Sequence, residues 1–130
     1  MAKLPSTEKI IEFNLLALTI IKAKKADQPK VLSKAKIMEA LEECGRAEGD
    51  IYDKAVVMLK GIIQKHPFAS GNRRTAFIAT KHFILTNNAK FCVEDKPENA
   101  RVMLGIREHY YSDNEIKEWI KNGQIKEFKR

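Results

Sequence analysis

Two strongly apolar segments separated by a short polar stretch constrain the fold of this chain more than any other feature of its sequence. The apolar segments are residues 55–63 (AVVMLKGII) and residues 75–85 (TAFIATKHFIL). Their near-continuous apolar character predicts two helices that are buried on most sides. Pro67 lies between them and disfavours helical backbone at His66, so the first of these helices is expected to end near Lys65. The chain should therefore reverse direction here, at one end of a central helix pair.

The polar stretch, residues 66–74 (HPFASGNRR), which we call the motif loop, has the composition of an anion-binding site. It combines an imidazole, a serine, a glycine, an amide side chain and two guanidiniums. Ser70 is expected to cap the next helix, with residues 71–74 in its first turn. Free backbone amides at a helix start, next to guanidinium groups, bind phosphate well. The candidate phosphate-binding residues are therefore Ser70, Gly71, Asn72, Arg73 and Arg74.

His66 is the candidate catalytic residue of the motif loop. Its imidazole titrates near neutral pH and could accept a proton from an attacking hydroxyl. Each residue also has a structural interpretation: a capping serine, a phenylalanine in the core, two arginines on a solvated face and a histidine bonded to a carbonyl. For Phe68 and Ser70 the structural role is the larger part of the expectation. The polar residues taken together, at this spacing, favour a binding or catalytic site.

The motif loop resembles the signature of the Fic/Doc family, His-x-Phe-x-(Asp/Glu)-(Gly/Ala)-Asn-(Gly/Lys)-Arg. Five positions agree, and they are His66, Phe68, Gly71, Asn72 and Arg74. The sequence that follows, residues 74–91, is most similar to the short Doc (death-on-curing) branch. Phe77 stands where Fic proteins usually carry a second arginine, as a hydrophobic residue does in Doc-type toxins.

The resemblance implies a compact, all-α, Fic/Doc-like bundle and a toxin-type transferase that uses ATP as substrate to modify a hydroxyl of a protein target. It implies that His66 is the general base and that Phe68 anchors the loop in the core. It also implies that Gly71 and Asn72 cradle phosphate while Arg74 binds the phosphate chain. The transferred group stays open, because Fic enzymes mostly transfer AMP whereas the phage Doc toxin phosphorylates elongation factor Tu. A translation factor is accordingly one expected class of target.

Two departures from the signature bear on catalysis. Ser70 replaces the acidic residue that holds Mg²⁺ in the family, and a neutral hydroxyl is a poor ligand for a hard cation. Arg73 replaces the usual glycine or lysine, and it keeps the charge but not the shape of the lysine found in Doc. We therefore assign no protein metal ligand and expect Mg²⁺ to be held mainly by the phosphates of ATP. The alternative is a catalytically impaired relative that binds a nucleotide or a partner without transfer.

Length, charge and composition restrict the remaining partners. A chain of 130 residues indicates a single domain, residues 1–130, with one modest core. No apolar run reaches membrane-spanning length and no signal peptide is evident, so a cytoplasmic protein without a membrane partner is expected. The formal charge of +7 is interleaved with acidic residues, so a basic nucleic-acid binder is only the third hypothesis. The family's inhibitory motif, (Ser/Thr)-x-x-x-Glu-(Gly/Asn), has no match here, so any inhibitor is expected to be an antitoxin acting in trans.

About six helices are predicted, and the motif loop joins the third to the fourth. The first should run from Ser6 to Lys24 and lead into a solvated loop at Lys22–Pro29. The landmarks of the others are Ser33 and Gly45, Asp50 and Lys65, Gly71 and about Asn87, Pro97 and about His109, and Ser112 and Gly123. Trp119 is expected in the core, and the tail at residues 126–130 is expected to fray. Cys44 and Cys92 are predicted to be reduced, packed thiols without metal spacing.

Overall fold

The computed structural model describes residues 2–21 and 29–129. This part of the chain forms six helices, α1 (Thr7–Ile21), α2 (Lys34–Arg46), α3 (Ile51–Lys65), α4 (Asn72–Thr86), α5 (Pro97–Arg107) and α6 (Asp113–Asn122). No strand forms within the described residues, where the only β-bridge joins Val31 to Phe68. None of the described helices combines the length and the apolar character needed to cross a bilayer. The all-α prediction, with about six helices, is confirmed.

Helices α3 and α4 form the centre of the bundle, as their apolar sequences predict. They pack against each other, with α1 also against α4 and with α2, α5 and α6 also against α3. Met58 and Ile62 of α3 and Ala79 and Phe83 of α4 are at most 1% exposed. The motif loop that joins the two helices is therefore attached at both ends to the most buried part of the molecule.

Side-chain caps begin three helices where the sequence predicts them. The Asp50 carboxylate accepts from the N–H of Asp53 at 3.0 Å, and the Asp53 carboxylate accepts from the N–H of Asp50 at 2.9 Å. Ser112 and Glu115 form the same reciprocal box at α6, and Ser33 caps α2. Each cap satisfies an amide that a helix start leaves unpaired, which typically contributes about 1 kcal/mol. Local sequence was sufficient to place these boundaries because the capping partners are only two or three residues apart.

The prediction that Gly45 ends the second helix is wrong. Helix α2 continues to Arg46, and the N–H of Ala47 still bonds to the carbonyl of Glu43 at 3.0 Å. Gly45 lies inside the last turn beside Leu4, whose Cδ1 would be 3.1 Å from an added Cβ. Glycine is therefore used here for a close contact with the N-terminal segment rather than for a helix stop.

The other boundaries agree with the predictions or lie outside the described residues. Helix α5 ends at Arg107, slightly before the predicted end, and α6 ends before Gly123, whose φ of 75° is left-handed as expected of a glycine stop. The first helix begins at Thr7, as expected. Its predicted end at Lys24, the loop at residues 22–28 and the side chains of Ile20 and Ile21 lie outside the described residues.

The C-terminal tail, as far as residue 129, does not fray as predicted. Phe128 is 3% exposed and packs over Gly105, where an added Cβ would lie 3.1 Å from the ring. The Tyr111 hydroxyl donates to the carbonyl of Lys126 at 2.9 Å, and Arg101 Nε donates to the carbonyl of Phe128 at 3.2 Å. The tail is therefore fastened to α5 by one aromatic side chain and two carbonyls, and its own polar sequence does not reveal these partners.

The packed-thiol prediction is right for one cysteine and wrong for the other. Both cysteines are free, but Cys44 is buried whereas Cys92 is exposed. Burial raises the pKa of the Cys44 thiol to about 11, so this group stays protonated and unreactive at neutral pH. Trp119 lies in the core at 1% exposure, as predicted, and its indole Nε1 donates to Asn99 Oδ1 at 3.1 Å.

Candidate functional site

The chain reverses into the motif loop at His66. Helix α3 ends at Lys65, as predicted, and His66 follows with a left-handed backbone of φ 53° and ψ 57°. Non-glycine residues rarely adopt this conformation, but Pro67 disfavours the right-handed helical alternative at the residue before it. The imidazole is left exposed on the outside of the loop rather than turned into the core.

The middle of the motif loop is held between the core and the segment that precedes α2. Phe68 is fully buried, at 0% exposure. The carbonyl of Pro67 accepts from the N–H of Leu32 at 2.8 Å, and the N–H of Ala69 donates to the carbonyl of Lys30 at 2.9 Å. The structure thus places Phe68 where the resemblance implies an anchor, and adds backbone pairing that the local sequence does not indicate.

Gly71, and not Ser70, is the N-cap of the fourth helix. Helix α4 begins at Asn72, so the predictions that Ser70 caps it and that Gly71 lies in its first turn are wrong. The φ of Gly71 is 77°, which glycine adopts without strain, and its carbonyl accepts from the N–H and the hydroxyl of Thr75 at 2.9 and 2.7 Å. The Ser70 carbonyl accepts from Asn14 Nδ2 at 2.9 Å. Because no described side chain caps α4, the N–H groups of its first turn remain available to a ligand.

The side-chain amide of Asn72 is used to hold the loop together. Its Oδ1 accepts from the N–H of Phe68 at 3.0 Å, and its Nδ2 donates to the carbonyl of Phe68 at 2.9 Å. The same Nδ2 lies 3.1 Å from Nδ1 of His66. Asn72 is 6% exposed, so this buried amide both closes the loop and contacts the imidazole. A phosphate contact from Asn72 would therefore use its backbone N–H.

A cavity of ≈ 410 Å³ opens between the motif loop and α5, within the size range of small-molecule sites. All the residues predicted for catalysis or phosphate binding line it: His66, Ser70, Gly71, Asn72, Arg73 and Arg74. The opposite wall comes from α5 and the turn before it, through Asp95, Lys96, Asn99, Ala100, Met103 and Arg107. Ile63 and Phe77 complete the lining with apolar surface.

Arg74 is bound to an acidic residue across the cavity. Its two terminal nitrogens donate to the two carboxylate oxygens of Asp95 at 2.6 and 2.7 Å. This bidentate bond holds the pKa of Asp95 below its usual value of 3.8, so the carboxylate stays ionised at neutral pH. The guanidinium also lies 6.0 Å from the centre of the Phe77 ring. An incoming phosphate would have to displace Asp95 to use the same two nitrogens.

The electrostatic character of the cavity is that of an anion site. Arg73, Lys96 and Arg107 add positive charge to that of Arg74, whereas Asp95 is the only carboxylate among the described residues that line it. Neither Arg73 nor Arg107 forms an ion pair with a described residue, while Lys96 pairs with a carboxylate outside the lining at 2.9 Å. The excess of cations therefore suits a ligand with more than one negative charge.

The donor groups of the cavity do not fit a resident magnesium ion. Mg²⁺ in proteins is usually held by one or two carboxylates together with substrate phosphates and water. Ser70 offers a neutral hydroxyl, and the Asp95 carboxylate is already bound to Arg74. Across residues 2–21 and 29–129, no three side chains of the types that bind metals lie together.

Sequence reasoning missed the α5 wall and the residue that supports Ser70. Asn99, Met103 and Arg107 are spaced four apart, which places them on one face of a helix and could have indicated a wall with a cationic end. Asp95 carried no recognisable signal, because its partner is in another helix. Asn14 is 2% exposed in α1, and a lone amide among apolar residues was the available hint that it supports a loop.

The sequence model of the Fic/DOC family matches residues 22–84, just under half of the chain. The matched range includes the whole motif loop and most of α4. A search of curated proteins found no match to this chain.

Proposed function

We propose that this chain is a Doc-like member of the Fic/Doc family and a transferase that uses ATP to modify a hydroxyl of a protein target. The observation that supports this is the single cavity lined by an exposed imidazole, a glycine-capped helix start and two motif arginines. A helix start with free amides receives phosphate, and guanidiniums nearby neutralise its charge. The family match to residues 22–84 is an independent argument for the same chemistry.

The proposed reaction needs one base and one anion cradle. His66 accepts the proton of the acceptor hydroxyl while the hydroxyl oxygen forms a bond to a phosphorus atom of ATP. Attack at the α-phosphorus releases pyrophosphate and transfers AMP, whereas attack at the γ-phosphorus releases ADP and transfers phosphate. Arg74 and the first amides of α4 stabilise the charge that the phosphate oxygens carry in the transition state.

Several finer parts of the proposal rest on the resemblance and on charge. A translation factor is the proposed class of target, and an antitoxin supplied in trans is the proposed inhibitor, both in the cytoplasm. Any Mg²⁺ would arrive on the phosphates of ATP, since the cavity lacks a carboxylate set of its own. The interleaving of acidic and basic residues along the chain argues against nucleic acid as the main partner.

The proposal is tested by incubating the protein with candidate targets and ATP labelled at either the α- or the γ-phosphate. Label from α-ATP alone on a target identifies AMP transfer, and label from γ-ATP alone identifies phosphate transfer. The absence of label from both, with folded protein and measurable ATP binding, would remove the transferase claim and leave nucleotide binding.

The second candidate function is that of a catalytically impaired relative, and Ser70 is the observation that favours it. Replacing Ser70 with aspartate restores the acid of the family signature beside the phosphate cradle. We expect this variant to increase transfer by about tenfold or more in the presence of Mg²⁺, because the added carboxylate offers the hard oxygen ligand that Mg²⁺ prefers. The measurement is the rate of label transfer at several Mg²⁺ concentrations.

Ser70→Asn is the matched control, because asparagine has the same shape without the charge. If Ser70→Asp and Ser70→Asn both leave a silent protein silent while ATP still binds, the missing acid is not the reason for inactivity. The impaired-binder function then replaces the transferase.

Asp95 competes with phosphate for Arg74, so its removal should strengthen nucleotide binding. We expect Asp95→Asn to raise the affinity for ATP up to about fivefold, because an exposed ion pair contributes at most about 1 kcal/mol. Glu98→Gln is the control, since Glu98 is exposed in the first turn of α5 and does not line the cavity. Weaker binding in Asp95→Asn would instead mean that Asp95 orients Arg74 for the ligand.

A further inference from the structure

We propose that Arg107 is a second phosphate-binding residue, which reaches the nucleotide from α5 on the wall opposite the motif loop. The inference rests on the proposed nucleotide site and names a ligand outside the signature. It concerns binding of the phosphate chain and not the transfer step.

The need for a second cation is apparent from the lining of the cavity. Phe77 follows Arg74 by three residues on α4, and its ring contributes apolar surface instead of charge. The terminal nitrogens of Arg74 are already bonded to Asp95 at 2.6 and 2.7 Å. A chain of two or three phosphates carries more negative charge than Arg73 and a partly neutralised Arg74 would balance. Further positive charge must therefore come from the other wall.

Helix α5 offers a fixed position for this charge. Asn99 Oδ1 accepts from the Trp119 indole at 3.1 Å, and Met103 is 4% exposed in the core. Arg107 follows Met103 by one helical turn on the same face and lines the cavity with an exposed side chain. The arginine therefore extends from a helix that is anchored on both α6 and the core.

Arg107 is also free to bind a ligand. It forms no ion pair with any residue between 2 and 21 or 29 and 129, whereas Arg74 pairs with Asp95 and Lys96 pairs with Glu94. The position of Arg107 in the last turn of α5 is favoured in any case by the helix dipole. An experiment must therefore separate this general preference from phosphate binding.

Arg46 provides the matched control for that separation. It is an exposed arginine in the last turn of α2, and it does not line the cavity. Arg107→Gln and Arg46→Gln thus remove the same charge from equivalent helical positions. Thermal unfolding of both variants, followed by circular dichroism, measures any common loss of helix stability.

The test is calorimetric titration of the full chain and both variants with ATP, ADP, AMP and adenosine. We expect Arg107→Gln to weaken ATP binding about tenfold or more, as loss of a charged hydrogen bond does, and to leave adenosine binding unchanged. Arg107→Lys should recover part of the affinity, and Arg46→Gln should bind all four ligands as the parent protein does.

Three results would overturn the inference. Unchanged ATP affinity in Arg107→Gln would show that Arg107 is not a ligand, with the proposed function intact. An equal loss for ATP and adenosine would show a change in the cavity rather than in phosphate binding. A parent protein that binds none of the four ligands would remove both this inference and the nucleotide site, whereas tight binding without transfer would leave the inference standing.

Discussion

Replacing His66 is expected to lower the rate of label transfer by about 10²–10⁴-fold, the usual contribution of a general base. Alanine is not the best replacement, because His66 has a φ of 53° and a left-handed alanine costs roughly 1–2 kcal/mol. Asparagine tolerates this backbone and has no basic nitrogen. His66→Asn should therefore keep the loop intact while removing proton acceptance, and the measurement is initial rates at saturating ATP.

His109→Asn is the matched control for His66→Asn. His109 is also exposed, has a φ of 60° and does not line the cavity. Its replacement should leave transfer unchanged, since only the contact of Gln64 Nε2 with its Nδ1, at 3.2 Å, is lost. Nearly parental transfer in His66→Asn would show that the base is another group. ATP affinity should be similar in both variants, because the imidazole is proposed to act on the acceptor hydroxyl.

Phe68→Ala is expected to lower the free energy of unfolding by about 3–5 kcal/mol, as truncation of a buried aromatic usually does. Phe68 is 0% exposed, and its backbone N–H and carbonyl are the two groups that Asn72 binds. Loss of the ring should leave a void under the motif loop and loosen the amide contacts that hold it. Urea unfolding followed by circular dichroism measures the loss of stability.

Phe83→Ala separates a loss of stability from a loss of loop order. Phe83 is also 0% exposed, but it lies in α4 near the other end of the helix from the motif loop. Both variants should lose similar stability, whereas Phe68→Ala alone should weaken ATP binding at a temperature where both remain folded. Equal ATP affinity in the two variants would contradict a role for Phe68 in positioning the loop, and a loss below about 1 kcal/mol would contradict its role in the core.

The helical architecture could be predicted from sequence because its causes are local. Apolar periodicity marked α3 and α4, and the caps at Asp50 and Ser112 lie within three residues of the groups they bind. The errors occurred where a distant residue supplied the partner. Gly45 continues the helix beside Leu4, and Phe128 packs over Gly105 instead of fraying.

The candidate site divides in the same way. The six catalytic and phosphate-binding candidates come from one stretch of nine residues, and one cavity brings them together. The start of α4 was misplaced because a serine usually caps a helix, whereas the Ser70 carbonyl here is used by Asn14 of α1. The left-handed Gly71 takes the capping position without a side-chain bond.

The residues of the motif loop and the helices on either side follow from sequence because short-range forces specify them: apolar burial along a helix, proline geometry and side-chain capping. The opposite wall of the cavity and the pairing of Arg74 with Asp95 could be known only from the fold. Those two residues are 21 positions apart, and helix packing alone brings them within hydrogen-bond distance. Local sequence carries no information on such a distance, so the chemistry of the loop was readable while the shape and charge of the site around it were not.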